Sequence, residues 1–73
     1  MTLSGTIGLV GIGLMGTALA RRLLDAGYKI VGFDVDAARR AGLAEMGGEP
    51  VDSVAEVARR APLTLIAAMT IAQ

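Results

Sequence analysis

Three glycines near the amino terminus have the spacing of a phosphate-binding turn. Gly11, Gly13 and Gly16 form a G-x-G-x-x-G pattern in TIGLVGIGLMG, between an apolar run and an amphipathic one. Backbone N–H groups in such a turn, together with the positive end of the following helix, bind phosphate without a lysine or arginine. In a glycine-rich chain the alternative is a flexible turn, so the flanking pattern decides in favour of the phosphate site.

The three glycines are predicted to do different work. Gly11 lets the chain leave a strand in a tight turn, Gly13 lets the backbone approach a pyrophosphate, and Gly16 lets the helix pack close to the strand. The intervening backbone faces the same ligand. The predicted cofactor-binding loop is therefore Gly11, Ile12, Gly13, Leu14, Met15 and Gly16.

An acidic residue follows at the distance that a dinucleotide site requires. Asp34 lies 18 positions after Gly16, at the end of the apolar run YKIVGFD. A carboxylate there accepts hydrogen bonds from ribose hydroxyls and repels a 2′-phosphate, so Asp34 favours NAD over NADP. The alternative is a turn or capping aspartate, a role for which Asp36 is the better candidate.

The elements that position these residues alternate between strand and helix. Apolar runs predict strands over 6–10, 28–34, 49–51 and 63–69, and helical spacing predicts helices over 14–26 and 36–46. Gly27 and Gly47-Gly48 are predicted helix stops. The fold class is α/β, half of a Rossmann-type doubly wound parallel sheet, β-α-β-α-β-α-β, with strand order 3-2-1-4.

A third helix is predicted between the last two strands. Ser53 and Glu56 have the spacing of a capping box, in which each side chain accepts the other's backbone N–H. Pro62 ends this helix. Its predicted apolar stripe consists of Val54, Val57, Ala58 and Ala61.

The run IGLVGIGLMGTALARRLLDAGYKIVGFD resembles the amino terminus of the β-hydroxyacid dehydrogenases, a group that includes 3-hydroxyisobutyrate dehydrogenase and 6-phosphogluconate dehydrogenase. Met15, before the third glycine, is more specific to that group than the glycines. The residues in register are Ile7, Gly8, Gly11, Gly13, Met15, Gly16, Ala20, Leu23, Gly27 and Asp34. The resemblance implies hydride transfer between NAD and a small 3-hydroxy acid such as 3-hydroxyisobutyrate in the full-length enzyme. It also makes Val35 a predicted cofactor-site residue and NADP the less favoured cofactor, because NADP-preferring relatives usually carry Asn, Ser or Thr followed directly by Arg where this chain has Asp34-Val35.

The resemblance also implies that Met69 borders the cofactor, although the proline that relatives usually carry nearby is missing here. It assigns no catalytic residue to these 73 positions, because the substrate-binding glycine motif and the catalytic lysine of relatives lie further along. The single lysine, Lys29, begins the second strand and so lies opposite the ligand crevice. We expect no dehydrogenase activity from the 73 residues alone. The alternative is a stand-alone nucleotide-binding or interaction module.

Composition narrows the classes of partner. Seven cations balance seven anions without a basic run, which argues against nucleic acid. Cysteine and histidine are both absent, which predicts no metal site and fits a cytoplasmic protein. The apolar start lacks the positive charges of a signal peptide, and its glycines make a poor membrane span. The arginine pairs are interpreted as solvated helix cations, and for Arg39 and Arg40 the alternative is an approach to a phosphate.

The length of the chain limits the number of domains that it can form. Residues 1–73 are predicted to form a single partial NAD(P)-binding Rossmann domain, about half of a complete one. In that arrangement the strand over 63–69 lies at the sheet edge with unpaired backbone groups. Because exposed edges pair with other chains, we expect self-association.

Overall fold

The computed structural model describes residues 5–67, in which strands and helices alternate along the chain. The strands are β1 (Thr6–Val10), β2 (Lys29–Phe33), β3 (Glu49–Pro50) and β4 (Leu63–Ile66), and the helices are α1 (Leu14–Asp25), α2 (Ala37–Glu45) and α3 (Val54–Arg60). The strands pair in parallel in the order β3-β2-β1-β4. The predicted fold class and strand order are therefore confirmed.

The element boundaries differ from the predicted ones by a residue or two. Helix α1 ends one residue early, and Gly27 after it has a φ of +98°, the left-handed conformation that glycine adopts most easily. Strand β2 is one residue shorter at each end than predicted. Strand β4 ends at Ile66, and the predicted end at Met69 lies outside the described residues.

The two later helices are capped by side chains. The Asp36 carboxylate accepts the Ala38 N–H at 2.8 Å, which confirms Asp36 as the cap of α2. The Ser53 hydroxyl accepts the Glu56 N–H at 3.1 Å. The reciprocal half of the predicted capping box is replaced, because the Glu56 carboxylate accepts from the guanidinium groups of Arg59 and Arg60.

The predicted apolar stripe of α3 is only half correct. Val57 and Ala61 are buried, whereas Val54 and Ala58 are exposed. The seven-residue helix is short, and its first residue, Val54, lies beside the carboxyl ends of β1 and β2 instead of over the sheet.

Apolar side chains cover both faces of the sheet, as a doubly wound fold requires. On one face the sheet packs against α1 and α2 through Leu9, Ile12, Ala20, Ile30 and Leu43. On the other face it packs against α3 through Val31, Val51 and Val57. Alternate residues of β1 and β2 thus enter opposite cores, which explains their apolar runs without alternation.

The two edges of the sheet differ. Strand β3 has only two residues, one of them Pro50, which suits an edge. Strand β4 forms the other edge, with Leu63 and Ile66 exposed. Its edge position is as predicted, and self-association through it stays a prediction. Among residues 5–67, no helix is long and apolar enough to cross a membrane.

Candidate functional site

The glycine loop and Asp34 meet because the strands that carry them end side by side. The Gly11 N–H donates to the Phe33 carbonyl oxygen at 2.9 Å, so the first residue of the loop is fixed to the end of β2. On the other side the Ala67 N–H donates to the Val10 carbonyl oxygen at 2.8 Å. The carboxyl ends of β2, β1 and β4 therefore form one edge, where ligands bind in open α/β sheets.

Two of the glycines are required by the backbone itself. Gly11 has a φ of +96°, a conformation that is strained for residues with a Cβ. Gly16 is buried in the first turn of α1, and a Cβ there would overlap the carbonyl oxygen of Gly11. The loop is thus folded so tightly that the start of the helix touches the end of the strand.

Gly13 meets a different constraint. It is the N-cap of α1, its φ of −78° is open to any residue, and no side chain caps the helix within the described part of the chain. The first N–H groups of the helix have no intrahelical acceptors. Leu14 and Met15, which follow Gly13, are exposed. Uncapped donors at the positive helix end are what an anionic ligand needs.

Asp34 ties the loop to the start of α2. One carboxylate oxygen, Oδ2, accepts the Ile12 N–H at 2.8 Å, and the other, Oδ1, accepts the Asp36 N–H at 2.9 Å. The second bond makes Asp34 the turn-forming aspartate that the sequence offered as its alternative role. Because a carboxylate has about four lone-pair sites, it retains capacity for two ribose hydroxyls. The two roles are compatible.

The surroundings of Asp34 favour its charged form. Partial burial by itself raises the pKa of this carboxyl, but hydrogen bonds from the Asp36 and Ile12 N–H groups, and the positive charges of Arg39 and Arg40, together hold the pKa below its usual value. The group is therefore an ionised acceptor at neutral pH.

This shift predicts an acid sensitivity of the folded state. The pKa of Asp34 is lower in the folded chain than in the unfolded one, so its stabilising contribution is complete above the unfolded pKa and is lost as pH falls through the folded one. We expect the stability difference between wild type and Asp34→Asn to shrink as pH falls below about 4. Denaturant unfolding at several pH values measures this, with exposed Asp52→Asn as control. Parallel pH profiles for wild type and Asp34→Asn would contradict it.

The interpretation as solvated helix cations is wrong for Arg40, which is partly buried, whereas Arg39 is exposed as predicted. Arg40 Nη1 donates to the Asp34 carbonyl oxygen at 2.6 Å, and its guanidinium carbon lies 6.0 Å from the centre of the Phe33 ring. Arg39 Nη1 lies 2.9 Å from where a Cβ on Gly13 would be. The cause is the cap at Asp36, which starts α2 close to Asp34 and turns its first arginines back toward the glycine loop.

An open apolar groove of about 290 Å³ lies beside Asp34. Its lining consists of Val10, Gly11, Phe33, Asp34, Val35 and Val54. Val35, a predicted site residue, is 85% exposed at its rim. Sequence reasoning missed Val54, because it placed this residue in the core stripe of α3. The remaining predicted site residue, Met69, lies outside the described residues.

Comparison with known proteins agrees with this geometry. Residues 6–73 match the family described as the NAD binding domain of 6-phosphogluconate dehydrogenase. The chain belongs to this family. The recognised resemblance and the predicted cofactor, NAD, are thereby confirmed at the level of the family, as is the broader class of NAD-dependent dehydrogenases and reductases.

One curated relative is an NAD(+)-dependent, decarboxylating 6-phosphogluconate dehydrogenase from Haloferax volcanii. It is 44% identical over 54 residues, which are 74% of this chain and 18% of the relative. The chain thus spans less than a fifth of that relative's length.

Solved structures give the same fold. An imine reductase from Pseudomonas sp. is 28% identical with a TM-score of 0.81, covering 86% of this chain and 22% of that one. A variant imine reductase from Myxococcus stipitatus, solved in complex with NAD+, is 28% identical with a TM-score of 0.82, covering 89% and 23%. The fold of this domain is therefore shared with imine reductases.

Proposed function

We propose that this domain binds the adenosine diphosphate half of NAD at the edge formed by the glycine loop and Asp34. The observation that carries the proposal is the hydrogen bond from the Ile12 N–H to Asp34 Oδ2 at 2.8 Å. It supports the proposal because it holds the Asp34 carboxylate, the candidate acceptor for a ribose, next to the backbone that would receive the pyrophosphate. A ribose and its adjoining diphosphate are joined in one ligand, so their binding groups must be adjacent.

Each part of that ligand has a matching surface. The uncapped start of α1, from Gly13 to Met15, faces the diphosphate, and the remaining lone pairs of Asp34 face the ribose hydroxyls. The apolar groove between Val35 and Val54 lies next to Asp34 and has the character that an adenine ring requires. Met69 is proposed to border the cofactor on the β4 side, as the family resemblance implies.

For the whole protein we propose hydride transfer between NAD and a small 3-hydroxy acid. 3-Hydroxyisobutyrate is one such acid, and the name of the Haloferax volcanii relative favours a phosphorylated sugar acid. The described residues offer no group for the chemistry itself, since Lys29 lies at the amino end of β2, opposite the loop. The domain's part in the reaction is to hold and orient the cofactor. A cytoplasmic location and self-association complete the proposal.

The test is a titration of the isotope-labelled chain with ADP, followed by the NMR signals of its backbone amides. We expect the largest shifts at the amides of Gly11, Ile12 and Gly13, and a loss of about tenfold or more in affinity for Gly13→Val, because its side chain occupies the seat of the pyrophosphate. The variant should still fold, since its φ is ordinary and the added Cβ meets only the tip of Arg39.

The matched control is Ala18→Val, which adds apolar bulk to an exposed position of α1 outside the loop. It should bind ADP like the wild type. Unchanged affinity in folded Gly13→Val, or ADP-induced shifts confined to other parts of the chain, would contradict the proposed site.

A further inference from the structure

Arg39 brings a positive charge to the mouth of the glycine loop. It is the third residue of α2, and its Nη1 atom lies 2.9 Å from the position that a Cβ on Gly13 would take. Gly13 is also the N-cap of α1. The guanidinium therefore lies at the positive end of a helix dipole, where a cation is unfavourable unless an anion joins it.

The contacts within the chain do not account for this position. The nearest carboxylate is that of Asp36, whose Oδ2 lies 3.6 Å from Arg39 Nε, and both side chains are about half exposed. Such pairs contribute little. The other oxygen of Asp36 already caps α2, and both oxygens of Asp34 accept backbone N–H groups. Arg39 thus has, among the described residues, an exposed ion pair with Asp36 and the attraction of the Asp34 charge, and its half-exposed guanidinium faces the loop.

The neighbouring arginine shows the contrast. Arg40 donates at 2.6 Å to the Asp34 carbonyl oxygen and lies over the Phe33 ring, so its guanidinium holds the end of β2 in place. Of the two adjacent arginines, Arg40 therefore stabilises the fold, whereas Arg39 faces the candidate site. Of the two, Arg39 is the one whose guanidinium reaches Gly13, through Nη1.

We propose that Arg39 contacts the diphosphate of the bound nucleotide, opposite the N–H groups of α1. This inference rests on the proposed function. The half-exposed guanidinium, which lies over Gly13 in this structure, would move aside and contact the diphosphate from the α2 side, opposite the start of α1. A planar guanidinium binds phosphate oxygens through paired hydrogen bonds. The diphosphate is favoured over a 2′-phosphate because the Asp34 carboxylate, which adjoins the ribose, repels the latter.

The experiment compares wild type, Arg39→Ala and Arg39→Lys in their binding of adenosine, ADP and 2′,5′-ADP, by NMR titration. For Arg39→Ala we expect ADP affinity to fall about tenfold and adenosine affinity to stay unchanged. The difference in ADP affinity between this variant and wild type should become smaller as the salt concentration is raised. Arg39→Lys should recover part of the loss, since it keeps the charge without the fork. Arg21→Ala, at an exposed position of α1, makes the same change in net charge and is the matched control.

Several results would overturn the inference. An equal loss for adenosine would place Arg39 against the base or ribose, and a loss confined to 2′,5′-ADP would place it at a 2′-phosphate. An equal loss of ADP affinity in Arg21→Ala would show that the effect arises from the change in net charge alone. If wild type binds ADP at the loop and Arg39→Ala binds it equally well, only the inference about Arg39 fails. If wild type shows no ADP-induced shifts at the loop, the proposed function fails and the inference with it.

Discussion

Gly16→Ala is expected to lower the stability of the chain by about 3 kcal/mol or more, although it adds a single methyl group. The ideal position of that methyl overlaps the carbonyl oxygen of Gly11, which is backbone and cannot turn aside. Gly11 is in turn fixed by its own bond to the Phe33 carbonyl oxygen. The strain can be relieved only if the first turn of α1 moves away from the end of β1.

Moving that turn affects the main core. Ala20 is fully buried one turn further along α1, packed in the cluster that contains Leu9 and Ile12. Overpacking in a core costs typically about 1–3 kcal/mol, and a collision with backbone lies at or beyond the upper end. A chain of this length has a stability of about 4–11 kcal/mol at the usual value per residue. A loss of about 3 kcal/mol or more would remove most of a stability that lies at the lower end of this range.

A second glycine supplies the matched control, with the opposite sign. Gly42 lies inside α2, and a Cβ there meets nothing within 4 Å. Gly42→Ala should therefore stabilise the chain by about 1 kcal/mol, the difference in helix propensity between the two residues. Circular dichroism during thermal and urea unfolding measures both variants. A cooperative transition in Gly16→Ala at the wild-type midpoint would show that the contact between loop and helix is not as tight as described.

The course of the chain could be predicted because it depends on local patterns. A few adjacent residues are enough to define each of these patterns. They are the glycines that end helices, Gly27 and Gly47, the capping residue Asp36, and apolar runs of strand length. The parallel order follows from the topology of successive β-α-β units. The observed elements therefore begin and end within one or two residues of the predicted ones wherever both ends are described.

The direction of side chains at the site could not be predicted in the same way. Whether Arg39 faces solvent or the glycine loop depends on how α2 is rotated about its axis, and that rotation is set by the hydrogen bonds of Asp34 and Asp36. The sequence did contain a signal for the position of these side chains, namely two arginines in the first turn after a capping aspartate. The position of Val54 depends likewise on where α3 starts relative to the sheet, which no local pattern gives.

Exchange of two residues at the end of β2 is expected to invert the choice between nucleotides. In Asp34→Ser/Val35→Arg the carboxylate that accepts from ribose hydroxyls and repels a 2′-phosphate is removed, and a guanidinium is added beside it. Val35 is 85% exposed, so an arginine there displaces no core packing. Arg39 and Arg40, already on the adjoining turn, add to the positive potential around the new group.

The magnitude follows from the hydrogen bonds that are lost. Hydrogen bonds to a charged group contribute about 1.5–3 kcal/mol, so the affinity for ADP should fall about 10- to 100-fold in the double variant. Affinity for 2′,5′-ADP should rise above that for AMP, from which it differs only by the 2′-phosphate, whereas wild type prefers AMP. The measurement is the ratio of the two dissociation constants, obtained by the same NMR titration for both ligands.

The single variants separate recognition of the ribose from the geometry of the loop. Asp34→Ser also removes the acceptor of the Ile12 N–H, so part of its effect arises from a looser loop, which faster hydrogen exchange at the Ile12 amide would report. Asp34→Asn keeps one acceptor oxygen and loses the charge, so it should relax the discrimination against 2′,5′-ADP while protecting the loop better than serine does. Val35→Arg alone retains the repelling carboxylate and should change the ratio least. Two results would show that Asp34 does not recognise the cofactor: a wild-type preference for 2′,5′-ADP, or a ratio of dissociation constants that Asp34→Asn leaves unchanged. Asp34 would then have only the structural role that its hydrogen bonds to Ile12 and Asp36 define.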